Sequence, residues 1–420
     1  MLDILLLVAT SIQQTINSLL HLLTGNYFLP QSSTTNSANS IHEPPAMKNI
    51  LILGASYAGI GAAHRILKQS SKPGAPPVKV TLVSPNTHFY WNIALPRAVI
   101  PGLMPDEKIF QPIAAGFKQY PASKFEFIVA SAKSLNFEAK QVHLETLGSA
   151  EAKVLDYDLL ILATGSHTKG GTPFKTLSST ETTKDELHKL QAQVKKAHTI
   201  VLAGAGATGV EIAGELGSEY GTQKQIILIS SGATILEAAI PSVQKTAAQI
   251  LQNLKVTTKL KTKVMSSTAT SDGRHVLELS GGDKLTADIF IYTSGVTPNS
   301  SYIPEKYLNN NGFVIVDNFL KVKGEDNVWA IGDISDRETA QFLNAGNQAT
   351  YASKSIDLFL NNKATTAPYK DGVRGMGVLV GKKAGTGHLG SIKLPGFMVH
   401  LLRKSYFVSN VPSTVDGSAY

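Results

Sequence analysis

Apolar residues along this chain fall into short unbroken runs that end in small or polar residues. Ile50–Leu53 in "KNILILGASYAGIGAA" is one such run, and "TIVLAGAGATGVEIAGELG" (199–217) opens with another. Runs this short and this apolar predict strands buried on both faces of a parallel sheet. In both stretches glycines follow at once and a helical pattern comes next, so each predicts a strand, a sharp turn and a helix. "VKVTLVSPN" (78–86) and "QIILISS" (225–231) supply the strand after each helix. Three more stretches read as strands that end in small-residue turns: "YDLLILATGS" (157–166), "DIFIYTSGVTPN" (288–299) and "NVWAIGDIS" (327–335). The alternation predicts an α/β chain with two Rossmann-like units.

The N-terminal pattern is different. Leu5, Val8, Ala9, Ile12, Ile16, Leu19, Leu20 and Leu23 recur at spacings of three and four, giving one helical stripe within residues 1–29. Gln, Asn, Ser and Thr fill the other side, which suits a helix lying at a membrane interface better than one crossing it. Packing on the body or on a partner is the alternative, and both stay open. No Lys or Arg precedes Lys48, which argues against a mitochondrial presequence and weakens a secretory signal. A membrane-associated or cytoplasmic protein is expected. A polar Ser/Thr/Asn-rich linker over 30–47 follows.

Composition narrows the chemistry. A chain of 420 residues has room for two or three domains. Its net charge of +8 favours an anionic partner such as a nucleotide or a membrane surface. The densest basic run, "KVTTKLKTK" (255–263), is expected to place Lys259, Lys261 and Lys263 on one solvated strand face. It lacks the interleaved aromatics of a nucleic-acid site, so nucleic acid is disfavoured as a partner. The chain has no cysteine, which excludes disulfides, thiolate metal sites, iron–sulfur clusters and redox through a thiol pair. The eleven histidines show no metal-ligand spacing, and no metal is expected.

The two glycine loops carry the strongest chemical signal. Gly204, Gly206 and Gly209 fit the full G-x-G-x-x-G pattern between strand and helix, where free helix N–H groups meet a pyrophosphate. In the first loop Gly54 and Gly59 are present, with Ala55, Tyr57 and Ala58 between them, but Ser56 replaces the middle glycine. Neither following strand ends in the acid that usually binds a ribose hydroxyl. Ser84 or Asn86 stands there in the first unit and Ser230 with Ser231 in the second, so NADH and NADPH both remain open.

Taken with "ATGS", "TSGVTPN" and "AIGD", these loops make the chain resemble the two-dinucleotide-fold flavoproteins of the pyridine nucleotide–disulfide reductase-like fold. The branch it resembles most is the apoptosis-inducing-factor-like, ferroptosis-suppressor type, with type II NADH dehydrogenases further away. The resemblance spans roughly residues 48 to 410 and implies FAD and NAD(P)H as cofactors. It implies an FAD domain over 48–165 and 284–365, split by an NAD(P)H domain over 166–283, with a small C-terminal region over 366–420. By the same resemblance Gly54 to Gly59 cradle the FAD pyrophosphate, and Asp333 accepts a bond from the ribityl chain or sits beside the phosphates. Arg97 and the backbone near Ala132 are implied FAD contacts. Glu211 is the implied catalytic acid, and its basic partner near the C-terminus is Arg403 or Lys404.

The expected activity is electron transfer from NAD(P)H through FAD to a quinone-like acceptor. Alternatives are an FAD-dependent enzyme tailoring a small secondary metabolite, and a signalling flavoprotein with incidental turnover. "GVLVGKKAGTGHLGSIKLPGFMVHLLRKSYFV" (377–408) is expected to close the flavin face, and within it "FMVHLLRKSYF" (397–407) forms a helix. Its apolar and basic sides suit a membrane surface or a core contact equally.

Overall fold

A computed structural model describes residues 46–146 and 152–420. The expected helix over 1–29 lies outside the described residues, as does the linker up to residue 45.

The first half lays down β1 (Lys48–Leu53), α1 (Tyr57–Ser70), β2 (Val78–Ser84), β3 (Phe125–Val129) and β4 (Leu159–Leu162). The second lays down α2 (Thr180–Lys196), β5 (Thr199–Ala203), α3 (Ala207–Tyr220), β6 (Gln225–Ile229), α4 (Pro241–Asn253), β7 (Thr257–Lys259) and β8 (Ile289–Tyr292). Then come β9 (Val328–Ala330), α5 (Phe342–Leu360), β10 (Gly375–Leu379), β11 (Gly385–Leu389), β12 (Ile392–Leu394) and α6 (Gly396–Arg403).

Two parallel sheets result. One has the order β9-β4-β1-β2-β3 and the other β7-β6-β5-β8. The strand next to β4 is therefore β9, supplied after the chain has built the whole second sheet. Residues Ser166–Thr168 and Val296–Pro298 pair antiparallel where the chain leaves and returns, with Ser166 opposite Pro298. Three further strands, β10, β11 and β12, form a separate antiparallel sheet that α6 packs against.

Period-two alternation sets the cores. Ile50 and Ile52 of β1 enter the same core as Ile200 and Leu202 of β5, while Leu51 and Leu53 enter a second core on the other face. Both faces of β1 are covered, as its unbroken apolar run requires.

One expected strand is interrupted. In the basic run, β7 ends at Lys259, and Lys261 takes a positive φ of 52°. The backbone turns there because the Lys261 N–H donates to the Gly232 carbonyl and the Thr262 N–H to the Ser230 carbonyl. The three lysines do not share one strand face.

Candidate cofactor site

Both glycine loops are built alike, and close backbone approach explains why. Gly54 has φ +107°, and a Cβ there would lie 2.2 Å from the Ala163 carbonyl oxygen. Gly59, the third residue of α1, would place a Cβ 1.8 Å from the Gly54 oxygen. The second loop repeats this: Gly204 has φ +124°, and a Cβ on Gly209 would lie 1.9 Å from the Gly204 oxygen. Strand and helix touch at these points, so no side chain fits.

The middle position differs in kind. At Gly206 a Cβ would meet nothing within 4 Å, so the space beside it is open for a ligand. Gly206 and Ser56 are the N-caps of α3 and α1; neither cap makes a side-chain hydrogen bond, and neither first turn contains an acid. The helix ends present their N–H groups and dipoles to an anion.

Against the first loop lies an open cleft lined by Ser56, Tyr57, Ala58, Thr164, Lys175 and Asp333, among others. Asp333 accepts hydrogen bonds from Ser166 Oγ at 3.0 Å and from the Lys175 ammonium. Gly332 has φ +74° and donates its N–H to Gln348 Oε1 at 2.7 Å, which holds the turn that carries Asp333. Tyr57 donates to Asn92 Oδ1 at 2.8 Å and meets Phe89, Trp91 and Phe342 edge-on. Burial pushes its hydroxyl well above the usual tyrosine range, so it stays protonated as a donor.

The ends of β2 and β6 are built alike, and in the first unit the two ribose candidates differ. Ser84 Oγ accepts the Asn86 N–H at 3.1 Å, and Ser230 Oγ accepts the Gly232 N–H at 3.2 Å. Both serines cap their own turns. Asn86, by contrast, donates its amide to the Leu177 carbonyl at 3.3 Å, leaving its buried Oδ1 without a partner. A buried acceptor left in this state favours a donor such as a ribose hydroxyl. The cradle and the uncapped helix end together fit the pyrophosphate of a dinucleotide, while Asn86 is not among the residues lining the cleft.

Glu211 and Arg403 are brought together at the joint of α3, β10 and α6. Arg403 Nη1 donates to Glu211 Oε1 at 2.8 Å, the Leu379 N–H donates to the same oxygen at 3.1 Å, and Arg403 also reaches the Gly377 carbonyl. Burial raises the Glu211 carboxyl above its ordinary value, and Arg403 opposes that rise. Of the two basic candidates, only Arg403 pairs with Glu211 in the structure; the Lys404 side chain is exposed, and its carbonyl accepts from Arg97. Arg97 is not among the residues lining the cleft. Its guanidinium binds Glu215, with Nη2 to Oε1 at 2.7 Å and Nε to Oε2 at 3.3 Å. Ala132 lies in the antiparallel pairing of Ser131–Asn136 with Gln141–Glu145, also outside the cleft lining.

Lys175, Gln348 and Glu215 are absent from the sequence-based candidates. Lys175 sits in a loop and Gln348 in mid-helix with no motif around them, so only their contacts mark them. Glu215 did carry a signal, lying one helical turn beyond Glu211 and therefore on the same face. Among the described residues, no group of three His, Asp or Glu is placed to hold a metal ion.

Residues 48–349 match the family described as pyridine nucleotide-disulphide oxidoreductase. The chain is 50% identical over 373 residues to Oxidoreductase ptaL of Pestalotiopsis fici, covering 89% of this chain and 100% of that protein. It is 26% identical to ferroptosis suppressor protein 1 of Mus musculus, over 84% of this chain and 92% of that one. The solved structure of NDH2 from Plasmodium falciparum in complex with NADH superposes with a TM-score of 0.71 at 16% identity, covering 87% of this chain and 97% of that one. At that identity the likeness is one of fold.

Proposed function

The chain belongs to the pyridine nucleotide-disulphide oxidoreductase family, and on that premise we propose that it is an FAD-dependent oxidoreductase that takes electrons from NAD(P)H and passes them to a quinone-like acceptor. The observation that carries this reading is the pair of glycine cradles at the carboxyl ends of two parallel sheets in one cysteine-free chain. Two cradles call for two dinucleotides, and the lack of thiols leaves no protein group to relay electrons between them and a disulfide.

FAD held there would supply two-electron redox chemistry between a nicotinamide and the acceptor. The protein's part is to bind and orient. Gly54–Gly59 and the α1 N-terminus hold the FAD pyrophosphate, Asn86 Oδ1 accepts from its ribose, and Asp333 with Lys175 orders the polar wall of the cleft. Gly204, Gly206 and Gly209 with the α3 N-terminus hold the NAD(P)H pyrophosphate. Glu211, paired with Arg403, holds or releases a proton at the joint. A lipid-held acceptor is supported by exposed apolar side chains near the C-terminus, where Phe397 is 73% and Ile392 71% exposed. Among the described residues no helix is long and apolar enough to cross a membrane.

The test is an anaerobic visible spectrum of the purified protein, titrated with NADH and separately NADPH, then with a short-chain ubiquinone analogue. Bleaching by a nicotinamide and recovery with the quinone is the expected result. Bleaching with no recovery would transfer the assignment to a tailoring enzyme or a signalling flavoprotein. A protein that takes up no flavin would overturn the reading.

A further inference from the structure

Tyr406 stands where three parts of the chain meet. Its hydroxyl donates to Glu215 Oε1 of α3 at 3.0 Å, and its backbone carbonyl accepts from Trp91 Nε1 at 2.7 Å. The Arg97 guanidinium carbon lies 5.0 Å from the centroid of its ring. Glu215 is fully buried, and its carboxylate accepts hydrogen bonds from the side chains of Arg97 and Tyr406. Arg97 completes the ring of contacts by donating from Nη1 to the Lys404 carbonyl at 2.5 Å.

The backbone here is held under constraint. Tyr406 and Phe407 both adopt positive φ, 50° and 55°, a backbone conformation that non-glycine residues keep only where their surroundings impose it. Burial and the nearby carboxylates of Glu211 and Glu215 also hold the Tyr406 hydroxyl protonated, so it remains a donor.

The junction reaches the cleft in two steps. Trp91 is fully buried and meets Tyr57 edge-on at 5.4 Å, and Tyr57 lines the cleft. On the other side, Glu215 belongs to the same helix whose N-terminus is the Gly206 cap and which also carries Glu211. A single rigid helix therefore connects the second glycine loop to a carboxylate that grips the wall of the first.

We infer that Arg97, Glu215 and Tyr406 form a positioning triad that fixes α3 against the Trp91–Tyr57 wall and so sets how the nicotinamide faces the flavin. The inference rests on the oxidoreductase reading for its kinetic consequence but not for its geometry. A bidentate guanidinium pair fixes both distance and plane, which a lone ammonium contact does not. Small errors of placement at a hydride-transfer distance lower the rate more than the affinity.

The experiment uses the full chain with its flavin bound, comparing Arg97→Gln, Arg97→Lys and Tyr406→Phe with the wild type. Stopped-flow reduction by the preferred nicotinamide is read alongside hydrogen–deuterium exchange. Flavin content and the apparent nicotinamide dissociation constant are expected to stay within about threefold, while the limiting reduction rate falls about tenfold or more in Arg97→Gln and Tyr406→Phe. Arg97→Lys is expected to recover part of that rate. Exchange is expected to rise together in residues 91–98 and 211–217, with residues 225–229 unchanged. An unchanged limiting rate in folded variants overturns the inference, as does faster exchange confined to the mutated segment. If the wild-type flavin is not reduced by either nicotinamide, the oxidoreductase reading falls, and the paired exchange alone decides whether the triad couples the two segments.

Discussion

Glu211 and Arg403 lie 192 positions apart in the chain, and the guanidinium of one donates to the carboxylate of the other at 2.8 Å. Both side chains are largely removed from water. A buried carboxylate with a raised proton affinity and one cation holding it down is a group whose charge depends on that cation.

Removing the cation therefore has a pH signature. In Arg403→Ala the folded protein keeps a proton on Glu211 that the unfolded chain, with its ordinary value of 4.5, releases earlier. The folded state then binds more protons, so stability falls as pH rises above that value. The loss relative to wild type is expected to be about 3–5 kcal/mol at pH 8 and smaller at pH 5. Thermal unfolding at the two pH values checks this, and an equal loss at both would contradict the assignment of the charge.

The second glycine loop offers a contrast between two alanine substitutions. Gly209→Ala places a methyl group 1.9 Å from the Gly204 oxygen, so strand and helix must separate, and folding or nucleotide binding is expected to fail. Gly206→Ala meets no protein atom within 4 Å, so the fold is expected to survive while nicotinamide affinity drops about tenfold, since the methyl group occupies the open side. Circular dichroism and nicotinamide titration separate the two outcomes. Equal effects of both substitutions would show that the open space at Gly206 is not where the nucleotide sits.

Asn86 and Ser84 are expected to differ in the same way at the flavin. Asn86→Ala removes the buried oxygen that lacks a partner and should weaken FAD retention about tenfold, a loss of roughly 1.4 kcal/mol. Ser84→Ala loses a turn-capping bond and should lower the melting temperature with little effect on retention. Flavin fluorescence after gel filtration reads the first quantity. Retention unchanged in Asn86→Ala would remove Asn86 from the site.

His64 lies on α1, the helix that begins at the first glycine loop, and is expected to weaken the fold in acid. Its ring stacks on Phe117 at 4.0 Å between the Val415 carbonyl and the Tyr120 hydroxyl, and burial lowers its pKa from 6.5 to about 4. The unfolded chain takes up a proton first as pH falls, so stability is full above 6.5 and declines toward pH 4. The decline amounts to about 3 kcal/mol for this one group. His64→Gln should flatten the curve of unfolding free energy against pH over that range, and an unaltered slope would count against His64 as its source.

The sequence by itself determined the alternation of strands and helices and both glycine loops, because these rest on local periodicity and on backbone positions that only glycine can occupy. "KNILILG" and "TIVLAG" needed no partner to be read, and Gly54, Gly59, Gly204 and Gly209 all make the close approaches their spacing implies. Glu211 was legible as an acid of the second loop, but its partner was not. Arg403 and Lys404 are adjacent in the chain, and which one turns inward depends on how α6 packs on β10 and β11. Arg97, which resemblance alone assigns to the flavin, finds Glu215 and the Lys404 carbonyl across the joint between the two sheets. Lys175 beside Asp333 and Gln348 beneath Gly332 carried no pattern at all. These contacts join segments more than a hundred residues apart or depend on which face of a helix is covered. Periodicity reports only neighbours within a turn or a strand, so tertiary packing alone decided which charges meet.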